Sequence, residues 1–417
     1  MRVVDKVPTH SRSVACDLAQ THRERIASPI EDRARASNSR SDPDGPDGPD
    51  GPDGPDGTAA TAADPGGSSQ LWGDCSAHTD CVSVADLVAQ ARVAFGWHGD
   101  VDVSQGPRGA LGQIWRVDVG STRYALKEIF DEPPTESSIR VELDFCGRAA
   151  ELGVCMPASH PDRDGHHLLT TPAGTWLRLY DWIDLRPVPM TAPETPQRIG
   201  ELLATLHRCA PAEAAEPNGG GPPDPWYDTP PAPDEWSAVS TSPTAWAQRL
   251  TECLAWEPEL RSTVAPTDPA RVVLCHRDLH PENVFVDPSG ALVLVDWDDL
   301  GPAEPGRELA RALFDWCCDD VHTDLDAVRL MVDAYLGADG PGVVTELPDF
   351  SMLVATRLNF LLSQLLVARD PAAQRAHREW ARHEIDRFLP AFPTVRQLTA
   401  VLAVTRDCCQ SRSPRSS

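Results

Sequence analysis

Residues 275–299, CHRDLHPENVFVDPSGALVLVDWDD, constrain this chain more than any other stretch. Two alternating apolar runs, VFVD and ALVLVD, meet at Pro288-Ser289-Gly290 and read as a β-hairpin centred near Ser289. Asn283 lies six residues before that centre and Asp296 seven after it, so arms of nearly equal length bring both side chains to the open end. Asp278 sits five residues before Asn283, in the loop that leads in. A hairpin of this register brings a carboxamide and a carboxylate together, with a second carboxylate in the loop that leads in.

An amide oxygen and a carboxylate at one point suit Mg²⁺, a hard cation that needs few protein ligands when phosphates supply the rest. A second carboxylate nearby could take a proton from a hydroxyl nucleophile. Taken singly, Asp278 and Asn283 fit ordinary turn caps and Asp296 an ordinary strand end. It is the three spacings together that point to chemistry. His276 and His280 stand four apart, but in a loop and not on a helix, so a zinc pair is a poor reading. His276 is expected to order the loop.

A chain of 417 residues is long enough for about two domains. Its net charge of −26 excludes the basic patches that nucleic acid or an anionic membrane would need. No apolar run is long enough to predict a membrane span. The N-terminal residues lack the apolar core of a secretory signal. The 12 cysteines are scattered, with no C-x-x-C spacing, which fits reduced thiols in a cytoplasmic protein. Residues 1–81, poor in aliphatic side chains and carrying PDGPDGPDGPDGPDG at 43–57, read as a disordered acidic Pro/Gly-rich tail.

From Val82 the pattern changes. SVADLVAQARVAF has helical spacing, and VDVSQ, QIWRVDV and TRYALKEI read as strands. Residues 135–153 return to helical period and close at Gly153; HHLLTT and TWLRLYDWI are two further strands. Residues 82–183 are therefore expected to form a small antiparallel sheet lobe with one helix. Residues 184–403 read as a mainly helical lobe with the hairpin set into it. Its helices are TPQRIGELLATLHRC and the segments 243–256, 304–319, 324–336, 348–367 and 371–388. The passage EPNGGGPPDPWYDTPPAPDEW is expected as a surface excursion, and residues 404–417 as a second tail. The fold class predicted is α+β with two lobes.

HRDLHPEN followed by VDWD resembles the H-x-D-x-x-x-x-N and D-x-D/E signatures of the aminoglycoside phosphotransferase and choline kinase family, whose fold is that of the protein kinases. The likeness covers residues from about 82 to 395. It implies an ATP-dependent transfer of phosphate to a hydroxyl of a small molecule, with Asp278 catalytic and Asn283 and Asp296 holding Mg²⁺. It also implies a strand lysine for the ATP phosphates and a helix glutamate to hold that lysine. YALK offers Lys127. Of 37 Lys plus Arg only two are lysine, Lys6 and Lys127, so the single lysine in the folded part invites a chemical reason. Glu142 shares one helix face with Ile139, Cys146 and Ala149, and a carboxylate in an apolar stripe wants a buried cation. Glu142 is therefore the candidate partner, with Asp144 and Glu151 as alternatives. Gly106, Gly109 and Gly112 lie between two predicted strands; Gly112 is a candidate for phosphate contact, and turn glycines would look the same. Tyr180 and Trp182, in LRLYDWI, fall where the family's interlobe hinge holds adenine.

Two other readings stand beside this one. A protein kinase is favoured by Arg277 of HRD, but Asp296-Trp297-Asp298 replaces D-F-G. The helix EPGRELARALFDW also begins too soon for an activation segment, and A-P-E is missing. A nucleotide-binding scaffold without catalysis would be expected to lose a polar position, and Lys127, Asp278, Asn283 and Asp296 are all present. Glu308 stands where the family pattern more often has Asp and is expected to anchor a loop. For the acceptor, Asp315, Asp319, Asp320, Asp370 and Glu379 are candidates to bind an amine. An antibiotic, choline, an amino alcohol and a sugar all stay open.

Overall fold

The computed structural model describes residues 83–109, 112–130, 132–209, 224–239, 246–319 and 322–412. The PDG repeats, Asp320 and the first part of the Pro/Gly-rich passage lie outside them. Ser83 caps α1 (Val84–Phe95) by accepting the Asp86 N–H, and Gly96 closes it in the left-handed conformation at φ 68. The buried stripe of α1, Leu87 and Ala91, lies on a six-stranded antiparallel sheet ordered β1-β2-β3-β6-β4, with β5 also on β6. Its strands are β1 (Val101–Arg108), β2 (Gly112–Val119), β3 (Thr122–Ile129), β4 (Ser159–His160), β5 (Leu169–Thr170) and β6 (Trp176–Asp181).

The two-residue period of β3 divides its side chains between faces. Leu126 joins Val117, Leu177 and Leu179 under α1, each fully buried leucine contributing about 1.5–3 kcal/mol. Ala125 points the other way, against Phe285 and Val293 of the hairpin, and Lys127 shares its face. Between β3 and β6 runs α2 (Glu136–Glu151), capped by Thr135 and ended before Gly153 at φ 88. It buries Ile139, Glu142, Phe145 and Ala149, the stripe its spacing predicts. The sheet thus carries the helix expected within it and, as the spacing of SVADLVAQARVAF predicts, a second one ahead of β1.

A short strand, β7 (Arg186–Pro187), leaves the sheet lobe and pairs with the hairpin. Then α3 (Thr195–Arg208) begins the helical lobe, followed by α4 (Pro233–Val239) and α5 (Ala247–Arg261). Next come β8 (Val273–Cys275), the hairpin strands β9 (Val284–Val286) and β10 (Leu292–Leu294), and β11 (Gly301–Ala303), which returns to β8. The remaining helices are α6 (Pro305–Cys317), α7 (Leu325–Gly337), α8 (Ser351–Arg369), α9 (Arg375–Phe388) and α10 (Val395–Arg412). Helices α3 and α7 pack so closely that a Cβ at Gly200 would stand 2.3 Å from the Met331 carbonyl oxygen. With its preceding turn, α8 is long and apolar enough to cross a membrane, yet 83% of that stretch is buried: it is the central core helix.

Two expectations are corrected here. The chain does not become a tail at residue 404, because α10 continues to Arg412 and buries Val404, Thr405 and Cys408. Nor is the described part of the Pro-rich passage a surface excursion. Trp226, Tyr227 and Trp236 are buried, and the first two pack with Met352 and Phe360 of α8.

Candidate active site

Hairpin register decides the geometry. Leu294 pairs with Val284, and the Val295 N–H donates to the Asn283 carbonyl at 3.0 Å, so Asn283 and Asp296 meet at the open end as the spacing predicts. At the closed end, Asp287 accepts the N–H groups of Ser289 and Ala291 at 2.9 Å, an Asx turn that fixes the register. Asp296 has φ 65 and Arg277 φ 63, left-handed conformations that cost non-glycine residues energy and that the surrounding contacts must hold.

The loop from His276 to Asn283 is held from inside. The Asn283 amide donates to the Asp278 carbonyl at 3.0 Å and to Asp278 Oδ2 at 2.7 Å. Fully buried His276 turns Nδ1 towards the Asp278 N–H at 3.3 Å, which orders the loop as expected. Asp278 Oδ1 takes Arg311 Nη2 at 2.5 Å, and His280 Nε2 lies 3.3 Å from Oδ2. Burial alone would raise the Asp278 pKa, but the charges of His280 and Arg311 outweigh it and hold the carboxyl well below its usual range. Asp278 is therefore an ionised hydrogen-bond acceptor with little affinity for a proton. It can orient a hydroxyl and take its proton late.

Glu308 anchors the loop from behind. Its Oε1 accepts the Arg277 N–H at 2.5 Å and its Oε2 lies 2.8 Å from His207 Nε2. His207 Nδ1 is 2.7 Å from the Tyr335 hydroxyl, which in turn accepts the Gly342 N–H at 2.7 Å. An ionised Glu308 only accepts, so His207 Nε2 carries a proton facing it. His207, Cys275 and Glu308 bring metal-ligand atoms within 4.8 Å of one another, but the hydrogen bonds already satisfy His207 and Glu308.

Arg277 is buried and structural. Its Nε donates to the Asp299 carbonyl at 2.6 Å and its guanidinium lies 4.3 Å over the Tyr227 ring. Only residues 297–304 separate Asp296 from α6, and part of them forms β11. The arginine that favoured a protein kinase thus has no activation segment to read.

From the sheet, Lys127 reaches Asp296 Oδ1 at 3.1 Å and also Asp298 Oδ2. Burial would lower the lysine pKa, but Asp296 and Asp298 raise it well above the ordinary value. Glu142 is the buried carboxylate its stripe predicts, but its partner is not Lys127. Glu142 grips Arg178 with two bonds, at 2.8 and 2.9 Å. Lys127 and Arg178 are cross-strand partners on β3 and β6, so two cations compete for one helix carboxylate. Arg178 forms the planar two-pronged match, and Lys127 reaches across to the hairpin. Arg178 also lies 3.8 Å from Asp298 and stacks on Tyr180.

Tyr180 and Trp182 do line the cleft side of the sheet. Their backbones are engaged, however: Tyr180 pairs with Ala125, and the Trp182 N–H donates to the Arg123 carbonyl. At Gly112 a Cβ would stand 2.4 Å from the Glu128 carbonyl oxygen, and at Gly106 one would stand 2.7 Å from that of Ile114. Close strand packing alone therefore requires glycine at both positions.

Asp298, the last residue of VDWD, and three arginines that no motif pointed to, Arg178, Arg311 and Arg357, complete the site. Arg178 stands two residues before Tyr180, in phase with the cleft-facing side chains of TWLRLYDWI, and Arg311 lies one turn beyond Glu308 on α6. Both signals were present as periodicity. Of the acidic residues suggested for an amine, Asp315 is held by Arg311 at 3.4 Å and by Arg357. Asp319 accepts the His322 N–H, Asp370 that of Ala372, and Glu379 pairs with Arg375 at the surface. They form no common amine site.

Comparison with known proteins follows the same lines. Residues 102–347 match the family described as "Phosphotransferase enzyme family". No curated protein matches the sequence. Among solved structures, a spectinomycin phosphotransferase with ADP and spectinomycin superposes with a TM-score of 0.53 at 13% identity, covering 78% of this chain and 99% of that one. The AMP-bound complex of that protein gives 0.50 at 14% identity, covering 76% and 98%. A microcompartment-associated aminopropanol kinase gives 0.49 at 18% identity, covering 78% and 98%.

Proposed function

This chain belongs to the phosphotransferase enzyme family, and from that premise we propose that it moves the terminal phosphoryl group of ATP, with Mg²⁺, onto a hydroxyl of a small molecule. The observation that carries the reading is the meeting of Asp278, Asn283 and Asp296 at the open end of one hairpin, with Lys127 arriving from the opposite lobe.

The donor set fits a hard divalent cation. Asp296 and Asp298 converge on one ammonium, that of Lys127, which marks a place where positive charge is stabilised by oxygen ligands. Asn283 and Asp296 would hold the metal, with Asp298 beside them. When bound, Mg²⁺ neutralises charge developing on the phosphoryl oxygens. The chain's own residues do the rest. Lys127 would exchange its carboxylates for phosphate oxygens, and Arg178 keeps Glu142 and the sheet in place. Asp278 accepts a hydrogen bond from the acceptor hydroxyl and aligns it. The low proton affinity of that carboxyl makes orientation its larger part and proton uptake a late one. A cytoplasmic setting would keep the thiols of this chain reduced.

The test is direct. Purified protein should show a nucleotide-induced rise in melting temperature that needs Mg²⁺. A phosphotransfer screen of hydroxylated acids, amines and peptides, read by mass spectrometry, should find an acceptor. Asp278→Ala should abolish turnover while nucleotide binding survives. Absence of any nucleotide shift with Mg²⁺ would sink the reading, and turnover on peptides alone would replace the small-molecule acceptor with a protein one.

A further inference from the structure

A cavity of about 240 Å³ opens beside Asp278, between the catalytic loop and helices α6, α8 and α9. It lies below the roughly 300–1,000 Å³ usual for drug-sized ligands, so it selects a compact acceptor. Part of its wall is aromatic, including Trp226 and Phe388, which gives an apolar body somewhere to lie.

Its charges are the informative part. Asp278 carries Arg311, Asp315 is clasped by Arg311 and Arg357, and Glu282 carries Arg387 at 2.5 Å. An ammonium group entering at Asp278 or Asp315 would have to draw that carboxylate away from Arg311 or Arg357, which are largely buried against it, stranding the cation. The hydrogen-bond donors are in the opposite position. A guanidinium has five N–H donors in a fork that matches a carboxylate two at a time. Arg357 stacks 4.6 Å over Phe388 and bonds Asp315 through Nη2 alone among the described residues. Its side chain is 18% exposed, and it lines the cavity. Asp299 also lines the cavity, so four carboxylates meet three arginines there, and the donors the cavity offers an incoming group are the N–H groups that Arg357 does not spend on Asp315.

Resting on the phosphotransferase reading, we propose that the acceptor is a compact alcohol bearing a carboxylate, anchored by Arg357, and not a polyamine. The alcohol oxygen forms the new bond to phosphorus as the bond from phosphorus to the nucleoside diphosphate oxygen breaks. The hydroxyl proton leaves by way of Asp278 to solvent, and the nucleoside triphosphate is the only co-reactant.

The experiment uses the full chain with ATP and Mg²⁺ and sets of matched alcohols: a compact hydroxy acid, its amide, and the amino alcohol of the same skeleton. The acids should exceed both analogues in kcat/KM by about tenfold or more, the scale of one charge-assisted two-pronged contact. Arg357→Gln should raise KM for the acid by a similar factor and leave KM for the amide within about twofold, with part of the loss restored in Arg357→Lys. Preference of the unaltered protein for amino alcohols or aminoglycosides would overturn the proposal, as would equal KM changes for acid and amide. Because that preference is read on the unaltered protein, misfolding of a variant cannot rescue the idea. If no set member reacts while the Mg²⁺-dependent nucleotide shift persists, the acceptor class is wrong and the kinase reading stands. Loss of that shift as well removes the kinase reading itself.

Discussion

Glu142→Ala would leave Arg178, whose side chain is fully buried, without the carboxylate that grips it in two places. Breaking a buried ion pair from one side costs about 3–5 kcal/mol, because the remaining charge stays out of water. Asp298 at 3.8 Å and the Tyr180 ring compensate in part, which places the expected value near the lower end. With roughly 300 described residues unfolding at about 2.1 cal/mol/K each, about 3 kcal/mol corresponds to a fall of about 5 °C in melting temperature. Calorimetry or fluorescence melting of Glu142→Ala, Arg178→Ala, Lys127→Ala and the two double variants completes the assay. The coupling energy between Glu142 and Arg178 should be about 2 kcal/mol or more, and that between Glu142 and Lys127 close to zero. A larger coupling to Lys127 than to Arg178 would refute the pairing described here.

Four further outcomes are expected. Lys127→Met removes the ammonium between Asp296 and Asp298, so Mg²⁺ without nucleotide should raise the melting temperature of the variant more than that of the unaltered protein, in a titration followed by differential scanning fluorimetry. Gly301→Ala would place a Cβ 2.2 Å from the Arg277 guanidinium; such overpacking costs about 1–3 kcal/mol, measurable by urea denaturation, and phosphotransfer should fall with it. Burial would raise the Glu308 pKa, but its bonds from His207 and the Arg277 N–H lower it. A depressed folded-state pKa stabilises above the unfolded value, so the stability gap between unaltered protein and Glu308→Gln should be full at neutral pH and shrink as pH falls below about 4.5, as seen in denaturation at several pH values. His207→Phe breaks the same anchor from the other side and should lower kcat more than it raises KM for nucleotide.

What is legible in the sequence depends on what each pattern encodes. Hairpin register follows from alternation and one turn, so Asn283 and Asp296 could be placed opposite each other from spacing alone. Glu142 was legible as a buried carboxylate because helical period reveals burial. Its partner was not, because period says nothing about which of two neighbouring strands supplies the cation; that choice was settled by the fit between a planar fork and a carboxylate. Proline marked the passage near Trp226 as irregular, and irregular was read as exposed. Three aromatic residues within that passage were the contrary signal, since such side chains seek burial whatever their backbone does. The end of α10 was missed for a related reason. Its arginines, aspartate and serine dilute the apolar content, while Val404 and Cys408 keep a four-residue interval towards the core.

The bond from Lys127 to Asp296 and Asp298 has a practical side. Outside Lys6, in the N-terminal stretch, it is the chain's only lysine. An amine-selective acylating reagent therefore has one address among the described residues, and peptide mass separates that label from those on Lys6 and the α-amine. While two carboxylates hold the ammonium protonated, that address is nearly silent. Anything that loosens this grip, whether a divalent ion taking the oxygens or the lobes drifting apart, changes the labelling rate. The molecule carries its own occupancy gauge at the centre of the cleft, with no probe to be engineered.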